Sequence, residues 1–182
     1  STDISAGFGG LTGQALQAGD SFEVTPKYNT KVGLGAMLPP KSTQIRIHAG
    51  PHAALLPKDT IVNFINHSWH VSPNSNRMGT RLLSDECDIC HTVSLPSMAV
   101  APGCIQLPPN GEPIVLLNDA QTTGGYPLLG TVIEADLRHF AQLKPGDFLH
   151  FKFVTLNEAH EAQEKLTAHL NQLAIALNYI NK

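Results

Sequence analysis

Polar and apolar positions alternate most cleanly over residues 44–48 (QIRIH), where Ile45 and Ile47 fall on one face, and the period of two predicts a β-strand. Residues 113–117 (PIVLL) form an unbroken apolar run and read as a buried strand, and residues 130–133 (GTVI) read as another. Residues 69–72 and 81–83 are shorter strand candidates, whereas residues 60–66 (TIVNFIN) fit a short helix or a strand equally well. Within residues 128–140 the helical spacing of Asp136, Leu137 and Phe140, continued by Leu143, allows a helical turn. The pattern changes at Asn157, an expected N-cap, with Glu158 and Glu161 in the first turn, where a helix dipole favours acids. From there Leu166, Leu170, Leu173, Leu177 and Ile180 follow a three-four stripe that predicts packing on the parent barrel, with a partner or dimer seam as the alternative.

Many short strands, frequent Pro and Gly, and one long terminal helix predict a β-rich barrel with helical additions. LQAGDSFEV at residues 16–24 is echoed by LKPGDFLHF at residues 143–151, each a Gly-Asp turn expected to feed a strand. Residues 1–26 then read as the tail of one barrel-like unit and residues 27–42 as a Pro-, Gly- and Lys-rich linker. Residues 43–155 form the second unit, and residues 156–182 the C-terminal helix. The opening at Ser1 reads as mid-domain, so the chain is expected to be part of something longer.

The 182 residues are 42% hydrophobic and 15% charged, with a net charge of −3, which describes an ordinary globular protein without the basic patch that nucleic acid or a membrane surface requires. No apolar segment approaches the roughly 18 residues that cross a bilayer. Three cysteines and no leader-like opening point to a reducing, cytoplasmic location.

Three stretches carry candidate chemistry. Cys87-Asp-Ile-Cys90-His91 has the spacing of haem attachment or half a zinc site, but no second spaced ligand pair completes it, so it reads as a loop with ordinary thiols. In SNRMGTRL, Arg77 and Arg81 flank Gly79, and two guanidiniums beside a glycine suit a carboxylate or phosphate. The alternative is a structural pair with Asp85 or Glu134. The densest signal is NDAQTTGGY directly after the apolar run. Asp119 can serve as a base or hold an N–H. Asn118 and Gln121 match the donor and acceptor of an amide, urea or lactam edge. Thr122 and Thr123 add hydroxyls, and Gly124 and Gly125 let backbone N–H groups approach a developing oxyanion. A self-satisfied turn is the competing reading.

PGCIQLPPNGEPIVLLNDAQTTGGYP, with SNRMGTRL before it and IEADLRHFAQLKPGDFLHF after it, closely resembles the carboxyltransferase-like family. That family includes allophanate hydrolase subunit 2, the Kip anti-inhibitor proteins, the bacterial 5-oxoprolinase C subunit and part of the urea carboxylase carboxyltransferase domain. The similarity runs from Ser1 to about Ala159, with STD and GFGGL near the start also matching. Thr80, Leu128 and the segment holding the cysteines depart from the pattern.

The resemblance implies a cyclophilin-like β-barrel preceded by the last strands of a truncated first subdomain. It implies membership of an ATP-dependent 5-oxoprolinase complex, opening 5-oxo-L-proline to L-glutamate with an allophanate hydrolase subunit 1-like partner and a third subunit. ATP belongs to the complex and is assigned to no residue here, since no P-loop pattern occurs. The chain alone is expected to be inactive. Asp119 and Asn118 are the expected catalytic residues. Gln121, Thr122, Thr123, Gly124, Gly125, Tyr126, Asn76, Arg77 and Arg81 are expected to bind substrate. Alternatives are biotin-dependent carboxyl transfer to a urea-like amide, and a non-catalytic module binding a kinase-inhibitor protein.

Overall fold

A computed structural model describes residues 2–4, 6–24, 39–85 and 89–180. The chain divides into two units, Ser1–Met37 and Leu38–Lys182. In the first, β1 (Thr2–Asp3) pairs antiparallel with β2 (Phe8–Gly9). Most of the expected linker lies outside the described residues.

The sequence echo is a shared turn. Gln17 N–H donates to Asp20 Oδ2 at 2.8 Å and Asp20 N–H to Gln17 O at 3.1 Å, with Gly19 at φ +101°. Lys144 and Asp147 repeat both bonds, at 2.8 and 3.0 Å, with Gly146 at φ +87°. Both turns need a residue that tolerates positive φ at the third position. The second turn feeds a strand. Residues 21–24, expected to be one, are not, because no ladder partner reaches them among the described residues.

In the second unit, β3 (Gln44–Ala49), β4 (Trp69–Val71) and β5 (Gly79–Leu83) are followed by the short β6 (Met98–Ala99) and by β7 (Cys104–Gln106). Then come β8 (Ile114–Leu116), the short β9 (Thr123–Gly124), β10 (Leu128–Val132) and β11 (Phe148–Phe153). Seven of these close a barrel in the order β10-β3-β11-β4-β5-β8-β7, in which only the β11–β3 pairing is parallel. Closure removes every edge. The period-two alternation then sends Ile45, Ile47, Ile105, Val115, Leu149 and Phe151 inward to a single core.

Residues 60–66 fall in α1 (Lys58–Asn66), a helix whose Phe64 enters the barrel core. Phe64 stacks on Phe151 at 4.6 Å between ring centres, and its carbonyl accepts the Trp69 indole N–H at 2.9 Å. Tertiary packing therefore resolves what the short apolar run left ambiguous. The helical turn expected near Asp136 is α2 (Glu134–Phe140).

The terminal helix is α3 (Leu156–Ile180). Its N-cap is Thr155 rather than Asn157. Glu158 N–H donates to Thr155 Oγ1 at 3.2 Å, and Thr155 N–H donates to Glu158 Oε2 at 2.7 Å. This reciprocal pair is a capping box and shifts the helix start by two residues. The Thr155 N–H bond, joined by one from the Thr155 hydroxyl at 2.9 Å, holds the exposed Glu158 carboxyl below its ordinary value. Ala159, Ala162 and Leu166 pack against Ile133 and Ala135. Further along, Leu170 and Leu177 are exposed, so the barrel takes up only the first half of the predicted stripe.

Candidate functional site

Two tight turns build one side of the site. At residues 76–79, Asn76 and Gly79 exchange backbone bonds at 3.1 and 3.2 Å, and Asn76 Oδ1 accepts Met78 N–H at 2.9 Å. The Asn76 side chain is thereby committed to folding its own turn. The second turn ends β8, where Ala120 N–H reaches Leu117 O at 3.0 Å. Leu117 N–H in turn donates to Met78 O at 3.0 Å, locking the two turns together. The consequence is that Arg77 Nε stands 3.5 Å from Asp119 Oδ2, with both side chains about half exposed, at 53% and 52%. At that exposure the pair orients the carboxylate more than it stabilises the fold.

Beside this pair lies a cleft of about 470 Å³, within the range of small-molecule sites. Arg77, Asn118 and Asp119 line it together with Glu134 and Arg138 of α2, and Leu116, Leu117 and Leu137 supply apolar lining. Sequence reasoning found the first three and missed the two α2 residues. Arg138 Nη2 donates to Pro40 O at 3.1 Å, and its Nε is buried without an acceptor. Arg81 lies on β5, exposed and away from the cleft lining.

The remaining polar loop folds back over the outside of the barrel. Val100 N–H bonds to Thr122 O at 3.0 Å, and Thr123 and Gly124 pair with Ala99 and Met98. Cys104, Leu116 and Leu128 form a small second cluster, with Met98, Val100 and Ala120 packed against it. Gln121 Nε2 reaches Gln106 Oε1 at 3.4 Å, while Gln106 itself is 2% exposed and its own Nε2 has no acceptor. A Cβ on Gly124 would stand 2.2 Å from that Nε2, and one on Gly125 would stand 3.1 Å from Leu95 O. Tyr126 is exposed at the loop's end. The loop read as one unit thus divides: Asn118 and Asp119 face the cleft, whereas Gln121 to Gly125 cover the barrel wall. Gln106, a polar residue inside the apolar stretch CIQL, was the available sign of that contact.

Among the described residues two histidines are buried, His91 and His139. His91 is buried, accepts Val93 N–H at Nδ1 (3.0 Å) and therefore donates from Nε2 to Leu107 O (2.8 Å), so both ring nitrogens are engaged. Cys87 lies outside the described residues. His139 packs near a partly buried ion pair in which Asp136 accepts from the Arg46 backbone N–H at 2.8 Å and from its guanidinium at 3.0 and 2.6 Å. The guanidinium bonds to Asp136 raise the Arg46 pKa. Burial, assisted by the Arg138 charge, lowers that of His139.

Residues 1–153 match the family model of the carboxyltransferase domain, subdomain A and B. In Escherichia coli (strain K12), the 5-oxoprolinase C subunit is 37% identical over 182 residues, which cover 100% of this chain and 59% of that protein. Its namesake in Haemophilus influenzae is 34% identical over 173 residues, covering 95% and 56%. The chain thus spans a little over half the length of these relatives. Among solved structures, the Kluyveromyces lactis urea amidolyase aligns with a TM-score of 0.62 at 25% identity, over 71% of this chain and 8% of that one. The urea carboxylase of the same organism shares the fold, with a TM-score of 0.65 at 24% identity over 87% of this chain and 16% of that one. The motif-bearing strands, their barrel and the family match agree, and the chain belongs to the carboxyltransferase domain family, subdomain A and B.

Proposed function

We propose that the chain is part of an ATP-dependent 5-oxoprolinase complex and that the cleft beside Asp119 receives the lactam. The single observation that carries this reading is the pairing of an amide-matching rim, Asn118 and Asp119, with apolar walls in a cleft of small-molecule size. Ring opening adds water across the lactam C–N bond and leaves an amine and a second carboxylate. In that reaction Asp119 takes the ring N–H proton as general base and returns it to the departing nitrogen, Asn118 donates to the carbonyl oxygen, and Arg77 orients the Asp119 carboxylate. The two bacterial relatives named for 5-oxoprolinase support the assignment. ATP and the other subunits, an allophanate hydrolase subunit 1-like protein among them, act at the level of the complex. The Gly124 and Gly125 backbone lies against the barrel wall, so the oxyanion role is assigned to Asn118 in preference to the glycines.

Asp119→Asn in the reconstituted complex should lower ATP-dependent turnover of 5-oxoproline by about 10² or more, the typical worth of a positioned general base. Turnover near wild type with an intact fold removes Asp119 from the reaction. A second reading, biotin-dependent carboxyl transfer to a urea-like amide, is favoured by the urea amidolyases of Lachancea kluyveri and Saccharomyces cerevisiae, each 25% identical. Consumption of carboxybiotin with urea, and none of 5-oxoproline with ATP, would select it.

A further inference from the structure

The two cations of the cleft are not equivalent. Arg77 already has Asp119 at 3.5 Å, so a ligand anion must compete with that carboxylate to use it. Arg138 makes no ion pair among the described residues, and its one hydrogen bond goes to the neutral Pro40 carbonyl at 3.1 Å. Its Nε is buried without any acceptor, which leaves the guanidinium under-satisfied while the Pro40 bond restrains its orientation. Glu134, one turn earlier on α2, lines the same cleft without pairing to it. The apolar lining from Leu116 and Leu137 lowers the local dielectric and strengthens the attraction for an incoming anion. In the same cleft, Asp119 and Asn118 offer groups for an N–H and a carbonyl.

We propose that Arg138 is the anion-binding residue of the cleft, and that its ligand is a small molecule with a carboxylate at the end opposite its amide or lactam N–H. The inference rests on the reading that Asp119 takes that N–H, and it adds the residue that holds the carboxylate. A carboxylated lactam gives Asp119 and Arg138 each a partner, whereas a neutral urea leaves Arg138 without one. Arg138 lies outside every stretch that sequence reasoning marked as binding, because only the closed barrel and α2 bring it to the cleft that Asp119 lines.

The test titrates the full chain calorimetrically with three probes: 5-oxoproline, 2-pyrrolidinone (the lactam without its carboxylate) and cyclopentanecarboxylate (the carboxylate without the lactam). Arg138→Gln should weaken 5-oxoproline and cyclopentanecarboxylate by about tenfold or more, the worth of one charge-assisted contact, and leave 2-pyrrolidinone unchanged. Arg138→Lys should recover part of that loss, which a packing role would not predict, and it decides the question if the Gln variant fails to fold. Unchanged binding of all three probes by Arg138→Gln, or an equal loss of all three in a folded variant, overturns the proposal. Wild-type binding of 2-pyrrolidinone as tight as that of 5-oxoproline overturns it too and spares the Asp119 reading. Binding of the carboxylate probe without any lactam contribution does the reverse. Failure of all three to bind at millimolar concentration overturns both.

Discussion

Gly124→Ala probes how the polar loop is held on the barrel. The new Cβ would lie 2.2 Å from Gln106 Nε2, and comfortable contact requires roughly 3.5 Å, so the amide must retreat by about 1 Å. A flexible side-chain end could normally yield at little cost. Gln106 is 2% exposed, however, and its Oε1 is the acceptor for Gln121, so retreat crowds it against the side chains packed around it and breaks that bond. Overpacking costs about 1–3 kcal/mol and the lost hydrogen bond about 1 kcal/mol, giving roughly 2–4 kcal/mol together. For a chain of this size that corresponds to a fall in Tm of about 5–15 °C. The assay is thermal unfolding of wild type, Gly124→Ala, Gln106→Ala and the double variant. Shortening Gln106 should remove the clash, so the double variant should be more stable than the sum of the single effects by about 1–2 kcal/mol. A Gly124→Ala variant within 1 °C of wild type (roughly the resolution of the measurement), or strict additivity, would refute the proposed contact.

Stability should also depend on pH through His139. Its folded pKa lies below the ordinary 6.5, so the unfolded chain binds more protons between the two values. The contribution is complete above about pH 6.5 and is lost as pH falls toward the folded value, with a slope of up to about 1.4 kcal/mol per pH unit. Urea midpoints measured from pH 7.5 to 5.5 should therefore fall in wild type and stay flatter in His139→Gln; equal slopes would exclude His139 as the cause. Thr155→Ala removes the hydroxyl half of the capping box and should cost about 1 kcal/mol, fraying the start of α3 in amide exchange. Asn157→Ala should cost less, and the opposite ranking would return the cap to Asn157.

The strands around the barrel were legible because period-two alternation reports local geometry directly: Ile45 and Ile47 face the core as their spacing predicts. The long helix was equally plain from its leucine stripe. Its start differs from the expectation because Asn157 is a good cap in isolation, whereas the T-x-x-E pattern at Thr155 and Glu158 satisfies two donors at once. The site was legible only where its residues are close in sequence. Asn118 and Asp119 stood out after the apolar run, and Arg77 stood out beside Gly79. Their mutual approach depends on the Leu117 to Met78 backbone bond, which no local pattern encodes. Glu134 and Arg138 join them through barrel closure, and Gln106 accounts for half of the loop that looked purely functional.

The central claim is that the cleft between the 117–120 turn and α2 receives a small carbonyl–nitrogen compound. Amide chemical-shift mapping of the isotopically labelled full chain during titration with 5-oxoproline tests it most directly. The account predicts saturable shifts concentrated at Arg77, Asn118, Asp119 and the α2 residues near Arg138, weakened in Asp119→Asn. Shifts confined to the groove that Ser42, Thr43, Phe148 and Gln163 line beside α3, or none at saturating ligand, would contradict it.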